Sequence, residues 1–211
     1  MSRQHTFSGF SIVSCGTLRP ELRALEEEGF LDADRVLFTA PGLHEWPGEL
    51  ERQLGRQVEK VKESSERVIV VYGAKCFIDS SDSLRDVDAL IRDHGPNISR
   101  IHAANCVDML VGAEERQAIA GGRNVYWLTP GWLRHWRYIF RDWDVGKANE
   151  TFPQNDKAIL LDGVRFFEEY TQEHPDEVLA FSDWMKIPIE PHPVSLDRLR
   201  GLLLEQLERS A

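Results

Sequence analysis

Short β-branched or apolar runs alternate with amphipathic segments along almost the whole 211-residue chain. That alternation restricts the architecture more than any other feature. Phe10 to Ser14, Val36 to Thr39, Val68 to Tyr72, a short stretch ending near Ile101, Val125 to Leu128 and Lys157 to Leu161 read as strands. Between them lie helix patterns. In one of these, Leu50, Leu54, Val58 and Val61 recur at spacings of four, four and three after Pro47. Strand–helix–strand repetition predicts an α/β fold: a mostly parallel sheet flanked by helices on both faces, doubly wound and Rossmann-like. We expect a single domain over 1–211, with a subdivision near 149–155 as the alternative.

Further along, Ser80 to Arg92 has a helical face of Leu84, Val87, Leu90 and Ile91, with Ser81 or Ser83 as its cap. Cys106 to Val111 and Glu114 to Ala120 read as a helix or helix pair, Leu133 to Trp143 as an aromatic-rich helix, and Val164 to Gln172 as another. Val178 to Phe181 is weakly strand-like. Pro188 to Pro193 reads as a rigid connection. A last helix carries Leu196, Leu199, Leu202, Leu203 and Leu207 behind Ser195.

The net charge of −10 opposes binding to nucleic acid, which needs Lys and Arg to neutralise phosphates. It opposes docking on an anionic membrane for the same reason. No run of about 18 apolar residues is present, and no apolar signal segment follows Met1. A cytoplasmic location is expected, where thiols stay reduced.

In that setting the chain's three cysteines are the residues most suited to chemistry. An odd number cannot be fully paired within one chain. Cys15 directly follows the first strand, Cys76 comes shortly after the third, and Cys106 follows the fourth at the onset of a helix. Strand ends at one edge of an α/β sheet are where sites are assembled. Separations of 61 and 30 residues are too long for a local zinc knuckle, so such a site has to be built by the fold. Three thiolates leave a coordination position open on zinc, or one iron free on a [4Fe–4S] cluster. His102, four residues before Cys106, and His44, in the loop before Pro47, are the candidates for a fourth ligand or its support. The remaining histidines look incidental. The competing reading is that each cysteine is a small core hydrophobe.

Other residues bear on ligand binding. Arg19 suits an anionic ligand. Gly16 and the Tyr72-Gly73 pair would let backbone approach a cofactor. Glu21 reads as a helix-start residue favoured by the dipole. Asp108 and Asp162, at element ends, are weak acid/base candidates. The aromatics from Tyr126 to Trp143 read as core, with an aromatic wall for a flat cofactor as the minority reading. No dinucleotide or phosphate loop, nucleophile elbow or HExxH motif occurs.

These segments resemble an uncharacterised family, domain of unknown function 1638. The family pattern has Cys-Gly and a Leu-Arg-Pro-Glu stretch after a strand, here Cys15, Gly16, Leu18, Arg19, Pro20 and Glu21. It continues with Leu43, His44 and Pro47, and later with Tyr126, Leu128, Thr129, Gly131 and Trp132. The Tyr-Gly loop reaching Cys76 carries one extra residue and lacks a trailing Gly. His102 and Cys106 are separated by three residues where the pattern has one. The resemblance implies a Cys-and-His site. It also implies a setting near corrinoid methyltransferases, in one-carbon/methyl or sulfur metabolism. The expectation is therefore a metalloprotein with a small-molecule substrate, with a metal-dependent transferase or lyase as the enzyme reading and a homo-oligomer as the expected assembly. The alternative is a non-enzymatic accessory or cofactor-binding protein for a corrinoid methyltransferase system.

Overall fold

The structure, a computed structural model, describes residues 6–77, 82 and 85–209. The first half is a parallel sheet of β1 (Phe10–Ser14), β2 (Arg35–Phe38), β3 (Arg67–Val71) and β4 (Ile98–Arg100), in the order β2-β1-β3-β4. Ser14 pairs in register with Phe38 on one side and Val71 on the other, so all three chains leave the sheet at one edge. The crossovers are α1 (Arg19–Glu27), α2 (Pro47–Lys62) and α3 (Val87–Arg92).

Side-chain alternation sorts the two faces, as the period of two in a strand requires. Val13, Val68 and Val70 pack with Leu50, Leu54, Val58 and Val61 of α2 and with Leu90 and Ile91 of α3. Ile12, Ile69 and Val71 face the other way, onto Leu22 and Leu25 of α1. Leu199, Leu202 and Leu203 of α10 (Asp197–Arg209) complete that layer. Ser195 caps α10 as expected, its Oγ accepting from Asp197 N at 3.2 Å.

The second half forms another parallel sheet, β5 (Val125–Leu128), β6 (Lys157–Asp162) and β7 (Ile189–Pro193), in the order β5-β6-β7. Ile159 and Leu161 join the core shared with the first sheet. Ala158 and Leu160 face the aromatic layer of α6 (Pro130–Ile139), α7 (Val145–Thr151), α8 (Phe166–Glu173) and α9 (Pro175–Met185). The fold is therefore α/β with parallel strands and flanking helices, its strands divided between two sheets. The change of sheet comes between β4 and β5, where α4 (Cys106–Leu110) and α5 (Ala113–Ala120) intervene. Residues 149–155 lie within the β5–β6 connection of the second sheet.

Three local expectations are corrected. The proline-rich stretch is strand β7; as the edge of its sheet it tolerates missing N–H donors. Val178 to Phe181 is helical within α9, because a four-residue apolar run cannot tell strand from buried helix. Helix α3 begins only at Val87, where the Asp86 side chain accepts from Ala89 N at 2.8 Å. The proposed caps Ser81 and Ser83, with Leu84, lie outside the described residues.

The two halves meet where the turn before α1 touches the start of α6. Thr129 Oγ1 donates to the Thr17 carbonyl at 3.1 Å. A Cβ on Gly131 would stand 2.3 Å from that oxygen and 2.6 Å from Thr17 Cα. Backbone cannot yield as a flexible side chain can, so Gly131→Ala is expected to destabilise by about 1–3 kcal/mol or more. An unchanged denaturant midpoint would show that the seam is looser than its geometry.

Candidate functional site

Three strands of the first sheet deliver the cysteines to one place. Cys15 is the residue after β1 and remains in the ladder, its N–H reaching the Val71 carbonyl at 3.5 Å. Cys76 ends a single 3₁₀ turn after β3, and Cys106 opens α4 after β4. The last two loops are fastened together. Ala74 N donates to Ala103 O and Lys75 N to Ala104 O, both at 2.9 Å. A Cβ on Gly73 would come within 2.3 Å of Asn105 Cα, so contact between the two loops requires a glycine here. Gly16 has the same role, facing the Thr39 carbonyl at 2.7 Å from a would-be Cβ. Arg100, nearly buried, pairs with Asp88 and donates to the carbonyls of Tyr72, Ile101 and Ala103. The Asn105 side chain accepts from Asp108 N at 2.9 Å and so sets the start of α4 at Cys106.

Cys15, Cys76 and Cys106 line a single cavity of about 20 Å³ with His44, Tyr72 and Trp132 among its other walls. Hydrogen-bond donors surround the sulfurs. Thr17 Oγ1 donates to Cys15 Sγ at 3.2 Å, and the Tyr72 hydroxyl, which also bonds Thr39, reaches the same sulfur. The Trp132 indole and the Val107 amide favour the thiolate of Cys106, and the Gly73 amide that of Cys76. These donors do not outweigh burial. Desolvation first, then the charge of Cys15, pushes the Cys106 thiol up to about 12. Desolvation, then Cys106 and Cys15, drives Cys76 higher still. Burial likewise raises the Tyr72 phenol. At neutral pH both thiols are protonated and weakly nucleophilic by themselves.

His44 is the one of the two expected histidines that reaches the cavity. Its ring lies 5.5 Å from that of Trp132, 38 % of its side chain is open to solvent, and its Nε2 stands 3.5 Å from Glu45 Oε1. Burial lowers its pKa against the opposing pull of Glu45. His102 does not reach the cavity. It is exposed and meets Arg209 of α10, because the chain turns outward after β4 before coming back at Ala103. Arg19 also lies outside, its guanidinium stacked 4.5 Å above the Phe38 ring. Asp108 and Asp162 are structural. Asp108 accepts from Ala104 N at 2.9 Å and pairs with Arg116 and Arg198. Asp162 accepts from Phe166 N and Phe167 N at 2.8 and 2.9 Å, capping α8. Of the aromatics from Tyr126 to Trp143 only Trp132 lines the cavity; most of the others build the second core.

Glu21 is the residue the sequence reading underrated. It is fully buried, neither carboxyl oxygen has a hydrogen-bond partner, and its charge bears on Cys106. Burial raises its pKa to about 8. The helical phase held the signal, since Leu18, Glu21, Leu22 and Leu25 fall on one face.

The fit to a metal has two sides. Three sulfurs and an imidazole are soft and borderline donors suited to zinc or an iron–sulfur cluster. A cavity of about 20 Å³ has room for about one water-sized atom, hence for one ion and not for a cubane. Among the described residues, no three His, Cys, Asp or Glu side chains stand grouped as a ready ligand set. The donor types and the space are those of a single-ion site, but as they stand the side chains are not grouped closely enough to hold one.

Among the described residues no helix is long and apolar enough to cross a membrane. No curated protein and no solved structure is significantly similar to the chain. The model of one family, described as a protein of unknown function (DUF1638), matches residues 38–203, a span that includes His44, Cys76 and Cys106 and begins after Cys15. With most of its length inside that match, the chain belongs to the DUF1638 family.

Proposed function

We propose that this is a thiolate metalloprotein that binds one zinc ion on Cys15, Cys76 and Cys106, with His44 at the mouth as fourth ligand or as the group facing a small substrate. The observation that carries this reading is the meeting of three cysteines, far apart in sequence, around a one-atom cavity with O–H and N–H donors turned on their sulfurs. Such donors do little for neutral thiols and stabilise thiolates. When bound, zinc supplies a Lewis acid able to activate a substrate thiol or polarise a methyl or acyl donor. The chain's own contributions are separate. Thr17 and Tyr72 hold Cys15, Trp132 holds Cys106, and the buried walls exclude bulk water. The space available argues for an ion over a cluster.

A place in one-carbon, methyl or sulfur metabolism, a corrinoid methyltransferase partner and a cytoplasmic setting rest on the family resemblance and the reduced thiols. A transferase or lyase follows from an open ligand position. The accessory-protein reading predicts the same metal without turnover.

Metal and sulfide analysis of protein purified without oxygen, with an absorbance spectrum, tests the reading. About one zinc per chain and no visible band are expected. Iron with sulfide and a broad visible band would replace the ion by a cluster. Folded protein free of metal, and unable to take up zinc, would leave the cysteines as core residues.

A further inference from the structure

We propose that helix α5 is a homodimer interface, on which a second copy of this chain lays its own α5 antiparallel alongside. None of the eight residues of α5 is buried. A helix this short is marginal without a packed face, because most helical stability in proteins comes from such packing. What holds α5 is local. Gly121, left-handed at φ 57°, closes its end, and Arg116 ties it to Asp108 at 3.4 Å. Its outward ridge of Ala113, Glu114, Glu115, Gln117 and Ala118 is left exposed.

Two grooves of opposite charge flank this ridge. One, of about 590 Å³, runs between α5 and the end of α7 over Val125 and Trp127 of β5, an edge strand of its sheet. Its charged walls are Arg116 and Arg123, and among the described residues no acid lines it. The other, of about 820 Å³, opens between α5 and α10 and sets Asp108, Glu114, Glu115, Asp197 and Glu205 against Arg198. An unrelated acidic or basic partner would match one groove only. A second copy brings both signs. In a two-fold contact each residue pair occurs twice, so a surface has to complement itself. With the two helices antiparallel, the ridge of each enters the first groove of the other, where Ala113 and Ala118 permit close approach. Glu114 and Glu115, at the start of one helix, then meet Arg123, just beyond the end of the other. The opposed helix dipoles add to the match. Among the described residues Glu114, Glu115 and Arg123 form no ion pair within the chain. Val125 and Trp127, both only partly buried, supply apolar area at the groove floor, at a sheet edge of the kind that proteins cover.

No residue of α5 lines the thiol cavity, so the dimer and the metal centre succeed or fail separately. The test is analytical ultracentrifugation of the full chain over a concentration series. A reversible monomer–dimer equilibrium weakened by salt is expected, since the contact is small beside an obligate interface. Arg123→Glu and, in a separate protein, Glu114→Arg with Glu115→Arg are each expected to weaken dimerisation at least about tenfold, because every reversal acts twice across the axis. Mixing the two variant proteins should restore association, since each then offers the charge the other lacks. All three substituted residues are exposed. Hydrogen exchange of the wild type needs no variant, and the α5 amides should exchange more slowly as concentration rises. A chain that stays monomeric up to millimolar concentration, a dimer indifferent to both reversals, or reversals that mixing does not rescue would overturn the proposal.

Discussion

Cys15→Ala, Cys76→Ala and Cys106→Ala, made one at a time, are each expected to lower zinc content from about one per chain to a tenth or less. The expectation follows from the number of donors. Three sulfurs and at most one imidazole line the cavity, and removing any sulfur leaves two. The three losses should be similar, because each thiolate contributes comparably to holding the ion. Stability separates this outcome from a core role. In metal-free protein a cysteine shortened to alanine loses only a small apolar group, and the cost should stay near 1 kcal/mol. In metal-loaded protein the same change also removes the stabilisation that ligand binding gives the folded state. Metal content read by elemental analysis and denaturant midpoints with and without chelator check both parts. If one cysteine could be removed with full zinc retention, the three-sulfur centre would be refuted.

Much of this site was legible in the sequence because strand ends are legible. Phe10 to Ser14 and Val125 to Leu128 coincide with β1 and β5 residue for residue, and β-branched runs fix where a chain must leave a parallel sheet. Once β1, β3 and β4 are neighbours, residues following their ends have to converge. The division into two sheets was not legible. The periodicity of a strand says which faces are buried and nothing about which strand lies beside it. Proximity in sequence misled at His102. Its separation from Cys106 spans a loop whose backbone is tied to Ala74 and Lys75, and the intervening turn sends the two side chains to opposite sides. The stacking of Arg19 on Phe38 and the close backbone packing at Gly73 were not legible either, since both depend on which loops meet. Thr17, whose hydroxyl reaches Cys15, carried no signal, since a small polar residue in a turn is commonplace.

Glu21 leads to the second large effect. The stability contributed by Glu21 is expected to fall as pH rises from about 4.5 to about 8, and Glu21→Gln is expected to abolish that fall. The carboxyl is fully buried without a hydrogen-bond partner, so folding favours its neutral form and holds its pKa near 8 against an ordinary 4.5. Between those values the folded state binds more protons than the unfolded state, and stability declines with pH. The full difference corresponds to about 5 kcal/mol, present as a penalty above pH 8 and absent below 4.5. Other groups act in the lower part of this window with the opposite sign, among them the carboxyls of Glu59 and Glu177, which His94 and Arg137 hold below their ordinary pKa. His44 and His135 have lowered pKa values, so their unfolded forms hold protons longer, and stability rises with pH until about 6.5. The range from pH 6.5 to 8 therefore isolates the carboxyl, and across it the wild type should lose about 2 kcal/mol relative to Glu21→Gln. Glutamine keeps the volume and cannot ionise, so the difference between the two proteins cancels every other titrating group. Denaturant midpoints at closely spaced pH values give it directly. Parallel curves for the two proteins would mean that the buried carboxyl finds a partner, and a cation held by the thiols is a candidate, because the Glu21 charge acts on Cys106.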